Sequence, residues 1–284
     1  MPGTIVCGVD DSDAAVSVAE TARWLANGLK ARLVLMHVTA EPARNPEKVK
    51  TSVRVRLSLG ERDDVRVVDG APAAGLMDSI DEDGAELLVV GSRGRGSIRS
   101  AVLGSVSRTL ATSSSCPVVI VPAGSRDRVG DASIVCGVDG SEHAVAAARL
   151  ADELAGRLGM RLLVVHALPD VKSVVSYPGA RSTAPPLSGQ PDARARLARQ
   201  IVDDAVEAVE GRATGIIEAG PPWDVLEAVA DREAGRLLVV AARGHSGLRA
   251  ALFGSVASQL ATSSRRPLVV LPERAETGVG AHSH

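Results

Sequence analysis

Short apolar runs alternate with longer stretches of helical spacing along nearly the whole chain. Residues 4–9 (TIVCGV) are apolar and end at Asp10-Asp11-Ser12. Ala15, Val18, Ala19, Ala22, Leu25, Ala26 and Leu29 then recur at three- and four-residue steps. That is the period of one helix face, and Asp11 or Ser12 stands where its cap belongs. Residues 33–38 predict a second strand, 42–56 a charged helix and 65–68 a third strand. Gly70-Ala71-Pro72 leads into a helix through Ile80, residues 86–90 form a fourth strand, and 117–121, nearly all β-branched, a fifth. Strands alternating with helices imply a parallel sheet covered on both faces. Ligands of such sheets bind outside the carboxyl ends of the strands, where strand order reverses. Asp10, Val38 and Gly91 all stand at such ends.

The most informative stretch is 91–114, GSRGRGSIRSAVLGSVSRTLATSS, which follows the apolar run 87–90. Gly91, Gly94 and Gly104 lack the Cβ that keeps a ligand off the main chain, and Ser105 opens a helical pattern through Val106 and Leu110. The free N–H groups of a helix start attract anions. A strand, an open turn and a helix start together read as a phosphate cradle. The alternative, glycines that merely close a turn and pack a helix, suits a lone glycine spacing better than this one. Here the pattern recurs 150 positions later as AARGHSGLRAALFGSVASQLATSS, identical at 12 of 24 positions. Ile5 to Asp10 also returns as Ile134 to Asp139, so the chain is two copies of one domain.

The second copy predicts strands at 133–138, 162–166, 216–219, 237–240 and 268–271, with helices at 141–158 and 193–209. The domains are expected at 1–124 and 132–273, joined by the polar stretch 123–131 and followed by a frayed tail, 274–284, that holds His282 and His284. Residues 168–191 hold five prolines and Tyr177 and read as an irregular surface loop, a candidate lid.

Composition narrows the function. Apolar residues make up 45% of 284, which excludes a disordered chain. Only four residues are aromatic, and Trp24 and Trp223 read as packing, so recognition by base stacking is disfavoured. Net charge is −2, so no whole-molecule field recruits nucleic acid. No apolar run is long enough to span a bilayer, and Met-Pro-Gly-Thr leads straight into a strand without a secretory leader. A cytoplasmic protein with no membrane partner is expected. Cys7 and Cys136 occupy equivalent strand positions and read as reduced small hydrophobes, and no CxxC occurs to suggest a zinc or redox site.

Asp10 and Asp139 end the first strands, where a carboxylate can accept from a ribose or serve a turn. Arg93, Arg95 and Arg99, with Arg243, His245 and Arg249 in the second copy, can neutralise phosphates. For Arg99 and Arg249 a solvated loop is the better reading. His37 and His166 end second strands without companions at metal-ligand spacing and read as structural. There is no GxxxxGK[ST] and no GxSxG, so binding without turnover is the simpler expectation.

These residues resemble the universal stress protein family in its tandem two-domain form. The resemblance implies two α/β domains, each a five-stranded parallel doubly wound sheet, Rossmann-like and of the adenine nucleotide alpha hydrolase type. One branch binds ATP through G-x2-G-x9-G-[ST], which Gly91, Gly94, Gly104 and Ser105 match. By that likeness Gly8 and Asp10 contact the nucleoside and Val38 meets adenine with its backbone. Gly91, Ser92, Arg93, Gly94, Arg95, Gly96 and Ser97, with Ser105, Val106 and Ser107, hold ribose and phosphates, with Mg2+ accompanying ATP. The second site then comprises Gly137, Asp139, Ala167, Ala241, Arg243, Gly244, His245, Ser246, Gly247, Gly254, Ser255, Val256 and Ala257. It departs at Ala241, whose methyl narrows the ribose site and disfavours positive φ, so weaker binding is expected there. The family also implies pairing through the fifth strands and leaves a homodimer open. The implied role is a nucleotide-dependent regulator in stress response, acting on an unknown regulatory protein partner and without strong turnover. Two alternatives stand beside it: a nucleotide-independent interaction module, favoured by Ala241 and the proline-rich insertion, and a slow ATPase, which rests on fold analogy.

Overall fold

The computed structural model describes residues 3–39, 45–61, 63–94, 103–123, 125, 132–168, 191–244 and 253–275. The elements run β1 (Thr4–Val9), α1 (Ala14–Leu29), β2 (Arg32–Thr39), α2 (Pro46–Arg56), β3 (Asp64–Asp69), α3 (Pro72–Asp83), β4 (Ala85–Gly91), α4 (Ser105–Ser113) and β5 (Val118–Val121). The second copy follows with β6 (Ser133–Gly137), α5 (Glu142–Leu158), β7 (Arg161–Leu168), α6 (Pro191–Glu207), β8 (Ala213–Ala219), α7 (Pro222–Arg232), β9 (Gly235–Ala241), α8 (Ser255–Ser263) and β10 (Leu268–Leu271). Most of the linker, nearly all of the insertion and the end of the tail lie outside the described residues.

By contacts the chain divides into Met1–Asp127 with Leu260–His284, and Arg128–Gln259. In the first unit the strand order is β3-β2-β1-β4-β5, all parallel. β10 groups with this unit because it pairs antiparallel with β5, Val269 facing Val119. This joins the two fifth strands as expected. The second unit has the order β9-β6-β7-β8, also parallel.

The middle strands are continuous apolar runs because helices cover both faces. Leu87, Leu88 and Val89 of β4 are wholly buried, as are Val118, Val119 and Val121 of β5. In the first unit α3 and α4 pack together on one face while α1 lies against β1 and β4 on the other. α1 buries Ala15, Val18, Ala22 and Leu25, the stripe that its spacing predicts. It stops at Lys30 in the left-handed region, and α3 stops at Gly84 in the same conformation. Among the described residues no helix is long and apolar enough to cross a membrane. Chain direction reverses its lateral march between β1 and β4, so the crevice of this sheet lies at their carboxyl ends.

Candidate functional site

A cleft of about 1390 Å³ occupies that position in the first unit. Ligand pockets commonly enclose roughly 300–1,000 Å³, so a nucleotide-sized molecule fits with room at the mouth. Its lining joins the ends of β1, β2 and β4 to the start of α4 and to one face of α2.

The turn after β4 is pinned by main-chain bonds. The Ser92 N–H donates to the Val121 carbonyl at 2.8 Å, and the Ser92 carbonyl accepts from the Gly104 N–H at 3.0 Å. Gly104 caps α4 with φ −59° and ψ 149°, and as a glycine it offers the first turn no side-chain cap. The amides of Ser105, Val106 and Ser107 precede the first residue whose N–H reaches back into the helix, Arg108 bonding the Gly104 carbonyl at 3.0 Å. Groups in that position seek an outside acceptor. All three residues line the cleft. A Cβ on Gly104 would lie 3.4 Å from the Ser92 carbonyl oxygen and 3.7 Å from the Arg93 Cα, so a larger side chain crowds the turn.

Asp10 sits opposite. Its Oδ1 accepts from the Ser12 N–H at 3.0 Å and from the Ser12 hydroxyl at 2.5 Å. Its Oδ2 lies where a Cβ on Gly94 would come within 2.7 Å. Gly94 is therefore glycine because a carboxylate occupies the space of its side chain. The expected cap of α1 by Asp11 or Ser12 is not made: the cap residue is Asp13 with no side-chain bond, since the Ser12 hydroxyl turns to Asp10. Gly8 likewise makes room, here for Leu76 of α3, whose Cδ1 would stand 2.8 Å from an added Cβ.

Val38, next to the last residue of β2, pairs with Val68, lines the cleft and has its side chain against α3 at Gly75. The Ser107 hydroxyl is turned inward and donates to the Gly91 carbonyl at 2.6 Å. Arg93 and Gly94 line the cleft, while Arg95, Gly96, Ser97 and Arg99 lie outside the described residues.

Sequence reading missed Arg56. It ends α2, far from the cradle in sequence, yet its guanidinium bonds the Asp10 carbonyl at 3.1 Å and pairs with Asp11 Oδ1 at 2.8 Å. Both side chains are about 30% exposed, so the pair contributes at most about 1 kcal/mol. His37 also lines the cleft at 4% exposure, with no hydrogen-bond partner for Nδ1. Burial pushes its pKa below 6.5, against the opposing pull of the Val9 carbonyl. In the second unit His166 Nδ1 does bond, to the Val138 carbonyl at 2.8 Å. All three thiols are buried and free, each pushed up to about 12 by burial.

The second unit repeats the frame. Ser141 bonds Asp139 Oδ1 through its N–H at 3.0 Å and its hydroxyl at 2.6 Å. A Cβ on Gly244 would overlap Asp139 Oδ2. The Gly254 N–H donates to the Ala242 carbonyl at 2.8 Å, as Gly104 does to Ser92. Gly137 makes room for Leu226, and Ala167 pairs with Glu218. α8 begins at Ser255 and Val256, with Ala257 buried where the first copy has Ser107. Arg243 is half-buried, and His245, Ser246, Gly247 and Arg249 lie outside the described residues. One expectation is corrected here. Neither Gly91 nor Ala241 is among the positive-φ residues, so Ala241 meets no backbone penalty. Space, not conformational freedom, is what glycine supplies at this position.

Comparison with known proteins gives a consistent picture. The family model described as the universal stress protein family matches residues 1–122 and again 132–272. A universal stress protein of Mycobacterium bovis is 32% identical over 190 residues, spanning 66% of this chain and 61% of its own length. One of Mycobacterium tuberculosis is 31% identical and spans 95% of this chain and 96% of its own. Among solved structures, a universal stress protein of Archaeoglobus fulgidus superposes with a TM-score of 0.63 at 17% identity, covering 95% of this chain and 98% of that one, a likeness of fold.

Proposed function

The chain belongs to the universal stress protein family, and from that premise we propose that it binds ATP at the carboxyl ends of β1 and β4 and signals occupancy to a regulatory protein partner in the cytoplasm. The observation that carries this reading is the start of α4, where Ser105, Val106 and Ser107 face the cleft with no side-chain cap. Three main-chain amides at a positive helix end suit a polyphosphate, which brings its own charge and needs no cage. Asp10, held by two bonds from Ser12, is set to accept from ribose hydroxyls. Val38 offers main-chain groups to the adenine edge. Among the described residues no group of three His, Cys, Asp or Glu side chains stands ready for a metal. Mg2+ therefore fits as an ion carried by the phosphates with its own water, its usual mode beside nucleotides.

Calorimetric titration of ATP with Mg2+ into the purified chain tests this. Saturable heat that Gly104→Val removes from one site is expected. Absence of heat at millimolar nucleotide would overturn the reading.

A further inference from the structure

We propose that α2 is a gate over the cleft of the first unit, latched by Arg56 on Asp11, and that it sets how fast nucleotide enters and leaves. This inference rests on the nucleotide reading above. α2 turns Val49, Ser52 and Arg56 to the cleft, three and four residues apart and so on one helix face. Behind that face it is thinly held. Its one buried residue is Val53, with Leu57 buried just past its end. It packs chiefly on β3, the edge strand of the sheet. A helix of 11 residues is marginal in water and depends on such packing. Most of its polar bonds are local. The Asn45 side chain accepts from the Lys48 N–H at 3.0 Å, and the Thr51 hydroxyl donates to the Glu47 carbonyl at 2.9 Å. Arg54 donates to the carbonyls of Gly60 and Asp63, in the loop that leaves the helix. What ties α2 to another element is Arg56, bonded to the Asp10 carbonyl at 3.1 Å and paired with Asp11 at 2.8 Å in the turn after β1.

The second unit fastens the same place differently. α6 runs 17 residues, buries Ala198, Val202 and Ala205, and lies against α5, β7 and β8. Gly140 stands where the first copy has Asp11, and a Cβ on it would come 2.9 Å from Ile201 Cγ1. An apolar side chain thus seals α6 onto its turn, where a half-exposed charge pair holds α2. Elements with few buried contacts open locally at low free energy, and well-packed ones open only with the rest of their domain. Traffic through the first cleft therefore falls to α2, and one ion pair sets how often it opens.

Native-state hydrogen exchange of the ligand-free chain reads the gate without nucleotide. Amides of residues 50–56 should exchange at least about 100-fold faster than those of residues 198–205. Asp11→Asn should speed residues 50–56 about fivefold further, the most that a half-exposed pair sustains, and leave α6 unchanged. Equal protection of the two helices, or no response to Asp11→Asn, would overturn the gate. Surface plasmon resonance of ATP with Mg2+ on the immobilised chain then tests its role. In Asp11→Asn both association and dissociation should quicken. Loss of a negative charge beside a polyphosphate would by itself quicken association and slow dissociation. Unchanged or slower dissociation would therefore overturn the gating, even with a loosened α2. No ATP on wild type would overturn the nucleotide reading and the gating with it, while the exchange data still decide whether α2 opens.

Discussion

Replacing Gly94 by alanine puts a methyl into space that Asp10 holds. The added carbon would lie 2.7 Å from Oδ2, closer than such contacts occur, so the carboxylate or the turn must move. The carboxylate is the softer of the two, since the turn is fixed by the Ser92 and Gly104 main-chain bonds at 2.8 and 3.0 Å. Swinging it away breaks its bonds from the Ser12 N–H at 3.0 Å and hydroxyl at 2.5 Å. Hydrogen bonds to charged groups contribute about 1.5–3 kcal/mol each when buried and less at this half-exposed position. A loss of about 1–3 kcal/mol of stability follows, a Tm fall of about 3–8 °C for a chain of this size. Nucleotide binding loses its ribose acceptor as well, which weakens Kd by about ten- to a hundredfold at that site. The assay pairs thermal unfolding with calorimetry of ATP and of adenosine. Both ligands should suffer equally, because the lost group serves the sugar. Gly60→Ala is the matched control, since its added carbon would meet nothing closer than Asp63 Oδ2 at 3.8 Å. A folded Gly94→Ala protein with wild-type affinity for adenosine would refute the placement of Asp10 on the ribose.

Three further outcomes follow from the geometry. Ser107→Ala removes the bond to the Gly91 carbonyl at 2.6 Å, so Tm should drop by about 2–4 °C while ATP affinity stays within about threefold, because the second copy already carries Ala257 there; titration and melting of the variant check both. Arg56→Met removes a cation from the cleft rim, so affinity for ATP should fall several-fold more than for adenosine, and the difference should shrink at about 1 M salt, where screening acts within roughly 3 Å. His37 titrates below 6.5 in the folded chain because it is buried, with Asp10 and Arg56 acting on it from the cleft. Its neutral form favours the fold, so that stabilisation holds above pH 6.5 and is lost as pH falls. Urea unfolding of His37→Asn should show a smaller stability loss on acidification than wild type.

The apolar runs carried most of the fold, because strands buried on both faces leave no polar alternation to misread, as in residues 87–90 and 118–121. β8 was the exception. It begins at Ala213, three residues before its apolar part, since Thr214 and Gly215 are exposed and only pairing with β7 makes them strand. The glycine spacing pointed to the turn that lines the cleft, yet its physical cause at Gly91 was mistaken. Glycine supplies both positive φ and free space, and a sequence does not distinguish them; the structure shows space alone. The inward turn of Ser107 and the placement of Arg56 were invisible for a different reason. Each depends on a contact with a chain segment far away in sequence, the Arg56 bond to the Asp10 carbonyl spanning 46 positions.

The amides at the start of α4 are the claim on which the rest depends, and they can be observed one by one. Isotope-labelled protein titrated with ATP and Mg2+ should show saturable amide shifts at Ser105, Val106 and Ser107, together with Gly94. Adenosine should leave the three helix amides nearly unmoved while shifting Gly94. Saturable binding whose shifts bypass those three residues would contradict the account.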